Sequence, residues 1–271
     1  IDIISKYIEL YLNFVQNGLP DHEYDEFYKW EVFQNFQEKW PTKLTTDNIV
    51  GSLKNGFVNK NNNLWKSGQY HPIDTLIFFA EQEPTLVIQA LDALFDKSRK
   101  LEDRIITFQK VAEHLRKTLM PEKSNHYQDE RAILLYLSLK YPSKYFLYKH
   151  HMYRDFLKKV QLTTFPKDKI EKVESFLDSA NKIRKILTKN EAIKALNEKR
   201  ENEYHLNDNF HLLTQDFIYC VSQFLEIDKE KNFETEKIQS INNSINMKAP
   251  LNQILYGPPG TGKSCLSAAV S

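Results

Sequence analysis

Leu251-Asn252-Gln253-Ile254-Leu255-Tyr256-Gly257-Pro258-Pro259-Gly260-Thr261-Gly262-Lys263-Ser264 is the stretch from which the rest of the chain takes its reading. A short apolar run enters G-x-x-x-x-G-K-S, and the small residues from Cys265 to Val270 can begin a helix. This is the order strand, phosphate-binding loop, helix. Glycine lets the backbone curl until consecutive N–H groups point at phosphate oxygens. Lys263 would place its charge on the β- and γ-phosphates, and Ser264 its hydroxyl on Mg²⁺. The helix start adds a positive dipole end beneath the anion. The expected ligands of Gly257, Pro258, Pro259, Gly260, Thr261, Gly262, Lys263 and Ser264 are therefore ATP or GTP with Mg²⁺.

Hydrolysis needs more than this loop: a second acidic strand end for the metal and a group that senses the γ-phosphate. No apolar strand ending in paired carboxylates is visible upstream. The sequence starts at Ile1 and stops at Ser271. It reads as a fragment of a nucleoside triphosphatase, inactive in turnover by itself and with no catalytic residue of its own.

Working back from the loop, periodicity predicts helices almost throughout. Ile4, Tyr7, Ile8, Tyr11 and Phe14 share one face and end at Gly18-Leu19-Pro20. Asp21 to Trp40 reads as a second helix with acids in its first turns, and Thr46 as the cap of a third. Pro72 and Pro84 punctuate the next pair, and Leu101 to Leu119 carries a continuous apolar stripe. Asn125, with Gln128 in the capping-box position, is expected to start the helix that buries Ala132, Leu135, Tyr136 and Leu139. From Pro166 the character becomes more charged. The fold class is mainly α, divided into a helical module over 1–165, a basic helical extension over 166–226, a linker over 227–250, and the opening of an α/β domain over 251–271.

The 271 residues carry a formal net charge of +1, which excludes a uniformly polyanion-binding surface and makes any such surface local. Two cysteines, Cys220 and Cys265, lack metal-ligand spacing and fit a reducing, cytoplasmic interior. Lys6, Glu9 and Asn13 interrupt the apolar N-terminal stretch, so neither a leader peptide nor a membrane span is expected there.

Outside the loop, the richest stretch runs from Lys140 to Arg154, where basic residues alternate with tyrosines and Phe146. Base stacking plus phosphate neutralisation needs such a set, and so does a core corner with wet lysines. Between Lys158 and Arg200, twelve Lys/Arg stand against six Asp/Glu. Lys144, Tyr148, Lys149, Arg154, Lys158, Lys159, Arg184 and Lys185 are the candidate nucleic-acid contacts. Trp65, Gly68 and Tyr70 form an aromatic turn suited to core packing or to holding an extruded base. His126 with Glu130, and His150 with His151, have spacings a metal could use; acids at a helix start and adjacent histidines on different sides are the plainer readings. No acid-and-lysine nuclease constellation is visible.

The loop, together with Asn252 to Tyr256 ahead of it, resembles the phosphate-binding region of AAA+ ATPases, and among them the McrB-type motor subunits of modification-dependent, 5-methylcytosine-specific restriction systems. Lys29 to Phe33, Asn63 to Gly68 and Asn125 to Ala132 are similar to the helical region ahead of such motors. The resemblance implies a homo-hexameric ring, DNA recognition by the N-terminal part, a separate nuclease subunit as partner, and a role in restriction or phage defence. It carries nucleotide-binding roles onto Gly257, Gly262, Lys263 and Ser264. An Asn-Thr-Ala-Asp-type signature, which accompanies GTP preference, would fall beyond Ser271, so ATP and GTP stay open. The rival reading is a helical adaptor that binds a protein and serves a remodelling ATPase unrelated to DNA. A self-contained nuclease is the third.

Overall fold

The structure, a computed structural model, describes residues 3–57, 64–65, 68–162, 166 and 168–227. The chain divides into two units, Ile1–Glu226 and Ile227–Ser271; the first is described here. The expected strand, phosphate loop and helix start at 251–271 lie outside the described residues.

Eleven helices and no strand occur among the described residues: α1 Ile3–Asn17, α2 Tyr28–Lys39, α3 Ile49–Gly56, α4 Pro72–Gln82, α5 Pro84–Phe95, α6 Leu101–Leu119, α7 Glu130–Lys140, α8 His150–Lys159, α9 Lys169–Leu187, α10 Glu191–Tyr204 and α11 His211–Gln223. Each of α4 and α5 opens on proline, whose missing N–H costs nothing in a first turn. Gly18 ends α1 at φ +71°, where an added Cβ would sit 3.2 Å from the His22 carbonyl oxygen. Glycine is the residue that fits.

Two helices organise the rest. α7 is buried from Ala132 through Leu139, on every face, and packs on α2 and α5. α11 is buried from His211 through Ile218 and packs on α8, α9 and α1. α7 is apolar almost all round, as a surrounded helix tends to be, whereas α11 also buries His211, Thr214, Gln215 and Asp216. α10 joins the first group through α2. Helices on both sides of Pro166 thus belong to one unit.

Three expected boundaries move. α3 starts at Ile49, with Asn48 rather than Thr46 in the N-cap position. The second helix begins at Tyr28 rather than Asp21. Residues 21–27 instead run irregularly, with Tyr24 and Glu26 buried; the charges they meet in the core, described below, outweigh local helix propensity. The helix expected to start at Asn125 starts at Glu130, capped by Asp129, whose Oδ1 accepts from Ala132 N at 3.0 Å. Asn125 Oδ1 closes a tight turn on Tyr127 N instead (2.7 Å). Gln128 is wholly buried: its Nε2 donates to the Pro72 carbonyl (2.7 Å) and its Oε1 accepts from Tyr136 Oη (2.7 Å).

Candidate functional site

Between α7 and α8 the chain first turns, with Lys144 N donating to the Tyr141 carbonyl at 3.0 Å, and then Tyr145, Phe146, Leu147 and Tyr148 are all buried. Tyr145 Oη accepts from Arg104 Nη1 at 2.8 Å, Phe146 stacks on His211 with centroids 4.3 Å apart, and Tyr148 packs on Phe176 at 5.0 Å. This part of the aromatic-basic stretch is core. At Lys149 the chain reaches the surface and turns into α8, which no side chain caps.

Here the starts of α7, α8 and α9 line a cleft of about 590 Å³. Tyr70 and Tyr148 contribute aromatic surface, and His150, His151 and Met152 form the edge at α8. Arg131, Lys149, Lys169 and Lys172 contribute four cations against the carboxylates of Asp129 and Glu130. Both carboxylates have work elsewhere. Asp129 Oδ1 caps α7 and accepts from Tyr70 Oη at 2.6 Å, and Glu130 Oε1 accepts from Gln109 Nε2 at 3.0 Å. Burial and the Asp129 carboxylate both hold the Tyr70 hydroxyl protonated.

Arg131 lies over the Tyr70 ring at 4.6 Å and donates from Nη2 to the Leu64 carbonyl at 3.2 Å, while its Nε is buried with no partner. Lys149 makes no salt bridge among the described residues. Its pKa falls to about 8, first through burial and then through the charges of Arg131 and Lys29, with Glu26 opposing. Helix N-termini disfavour cations, yet Arg131, Lys149, Lys169 and Lys172 sit at or near three of them.

Behind Tyr148 lies a contrasting group. Asp216 is fully buried and accepts from Lys29 Nζ (2.7 Å), Tyr11 Oη (2.8 Å) and Tyr24 Oη (2.6 Å). Lys29 Nζ also lies 2.8 Å from Glu26 Oε2 and 4.1 Å from the Tyr219 ring centroid. Burial disfavours the Lys29 charge, but Asp216 and Glu26 outweigh it and raise its pKa. Burial pushes the Cys220 thiol up, aided by Asp216, which leaves this free cysteine an inert thiol.

The candidate contacts named from sequence scatter. Tyr148 and Lys149 line the cleft. Lys144 is exposed and lies near the Tyr145 ring, 5.8 Å away. Arg154 and Lys158 approach Asp155 at 3.4 and 3.7 Å, and Lys159 pairs with Glu226 at 2.6 Å. Arg184 donates to the Asn209 carbonyl at 3.2 Å, and Lys185 is exposed at the end of α9. Trp65 is 2% exposed with its ring against Phe57, which assigns it to the core and removes it as a base-binding wall. His126 Nδ1 accepts from Gln128 N at 2.9 Å and burial lowers its pKa; His150 and His151 meet edge to face. Among the described residues no three such side chains group to hold a metal ion, and no helix is long and apolar enough to cross a membrane.

The sequence reading missed Arg131, Lys169 and Lys172 as parts of one site. Their common signal is a cation in a helix's first turn, legible only once the helix starts are placed. No protein family, curated protein or solved structure matches the chain.

Proposed function

We propose that the protein is a P-loop nucleoside triphosphatase of the AAA+ type, whose helical unit recognises an anionic substrate, DNA in a restriction or phage-defence system. The observation that carries this reading is the run Gly257-Pro258-Pro259-Gly260-Thr261-Gly262-Lys263-Ser264, set between a short apolar run ending Ile254-Leu255-Tyr256 and small helix-forming residues. Its donor set suits a Mg²⁺-bound triphosphate: curled backbone N–H groups, one ammonium and one hydroxyl. Nucleotide supplies the energy for remodelling when bound. The residues of the loop bind and orient it, and hydrolysis is completed by groups outside them. The cationic, aromatic-walled cleft of the helical unit supports an anionic substrate over a neutral protein surface.

Two measurements on the full-length protein test this. Mg²⁺-dependent binding of fluorescent ATP and GTP should weaken about tenfold or more in Lys263→Ala, the loss expected when a charge-assisted phosphate contact goes. DNA duplexes with and without modified cytosine should bind with affinity that falls steeply with salt. A flat response to both salt and sequence would favour the adaptor reading, and nucleotide binding indifferent to Lys263 would refute the triphosphatase.

A further inference from the structure

We propose that the cleft at the starts of α7, α8 and α9 is a binding site for a single nucleoside phosphate, either a free nucleotide or one unit of a strand, with Arg131 and Lys149 on the phosphate and Tyr70 and Tyr148 beside the base. The inference rests on the recognition role proposed for the helical unit and is independent of the phosphate loop at Gly257–Ser264.

Five observations converge. The cleft holds about 590 Å³, inside the range of sites that enclose small ligands. Its acids, Asp129 and Glu130, accept from Tyr70, the α7 backbone and Gln109, and neither forms a salt bridge with Arg131, Lys149 or Lys169 among the described residues. Arg131 Nε is buried and unpartnered, a donor removed from water with nothing to receive it. Lys149 is half-buried, lines the cleft beside Arg131 with its ammonium 6.0 Å from the Tyr219 ring centroid, and has no salt bridge among the described residues, so an anion in the cleft would complete its pairing. Arg131 is already placed over the Tyr70 ring, 4.6 Å from its centroid, and tied to the Leu64 carbonyl, so less freedom remains to be lost when a phosphate docks.

The aromatic walls narrow the chemistry further. A site for bare phosphate needs donors alone. Flat rings beside cations are what nucleotide recognition uses, the base on the ring and the phosphate on the charge. Lys169, exposed at the first turn of α9, extends the positive surface outward, which would suit the next phosphate of a strand.

The test is a calorimetric titration of the full-length protein with the four deoxynucleoside 5′-monophosphates, with a short 5′-phosphorylated single strand, and with inorganic phosphate. The proposal expects a monophosphate or the strand to bind, inorganic phosphate to bind at least about tenfold more weakly, and Lys149→Met to weaken the bound ligand by about tenfold. Lys169→Glu, on an exposed side chain, should weaken it several-fold without touching the fold. Tighter binding of the strand identifies a polymer as the source, and equal binding of the monophosphate identifies a free nucleotide. Equal affinity for inorganic phosphate overturns the assignment, as does binding unchanged in Lys149→Met and Lys169→Glu, or no binding at millimolar ligand. Salt-dependent duplex binding that survives such a result would leave the broader recognition role standing while this site falls.

Discussion

Lys29 and Lys149 both approach the Tyr219 ring, at 4.1 and 6.0 Å from its centroid, and the fold treats them in opposite ways. Lys29 is wholly buried, yet Asp216, Glu26 and the Tyr219 ring surround its ammonium and its charge is favoured. Lys149 is only half-buried, yet it makes no salt bridge among the described residues and its charge is disfavoured. In the buried cluster the Lys29 ammonium meets two carboxylates, and Asp216 takes two tyrosine hydroxyls as well. At the cleft, Lys149 makes no salt bridge among the described residues and the buried Arg131 Nε has no hydrogen-bond partner, which is what the proposed ligand would supply. Burial alone does not separate the two cases; partnership does.

The comparison breaks most directly at Asp216. Replacing it by Ala leaves Lys29 with one carboxylate and strips Tyr11 and Tyr24 of their acceptor, so Asp216→Ala should cost about 3–5 kcal/mol in urea denaturation. A loss below about 1 kcal/mol would mean the cluster is dispensable to the fold. Trp65→Ala should cost a similar 3–5 kcal/mol or so, because a fully packed indole leaves a cavity; a folded variant with unchanged stability would return Trp65 to the candidate binding surface.

Lys149→Met should do the reverse and stabilise the ligand-free protein at pH 7, by about 1–2 kcal/mol after allowing for partial solvent screening. The sign follows from proton binding. The folded pKa near 8 lies below the ordinary 10.5, so between these values the unfolded chain holds the proton and the folded one does not. Wild-type stability contributed by Lys149 therefore rises with pH across that window. The advantage of methionine should be complete below pH 8 and fade toward pH 10.5. Denaturation midpoints of both proteins across that range check it. The smallest effect belongs to Lys54, paired with Glu81 at 2.7 Å with both side chains well exposed. Lys54→Ala should change stability by about 0.5 kcal/mol or less.

Most of the helices were legible because their apolar residues recur every three or four positions, as Ile4, Tyr7, Ile8, Tyr11 and Phe14 do. What periodicity cannot carry is long-range partnership. Tyr24 and Glu26 leave the helical pattern because Asp216, remote in sequence, and Lys29 await them in the core. The α7 start was misplaced for a related reason: Asn125 and Asp129 both carry cap chemistry, and Tyr70, fifty-nine residues earlier, engages Asp129. The cleft was half legible. Tyr148 and Lys149 stood out as an aromatic-basic run, but joining them to Tyr70, Arg131 and Lys169 requires three helix starts to meet. The phosphate loop was the clearest motif in the sequence, and it lies outside the described residues.

The account turns on whether the cations of the cleft are there for a ligand. Thermal denaturation of the full-length protein and of Lys149→Met, each with and without a saturating deoxynucleoside monophosphate, asks this in one experiment. The expected result is a variant that melts no lower than wild type when free and loses most of the ligand-induced rise. A variant that melts lower and keeps the full rise would show that Lys149 serves the fold, as Lys29 does, and would contradict the distinction drawn between them.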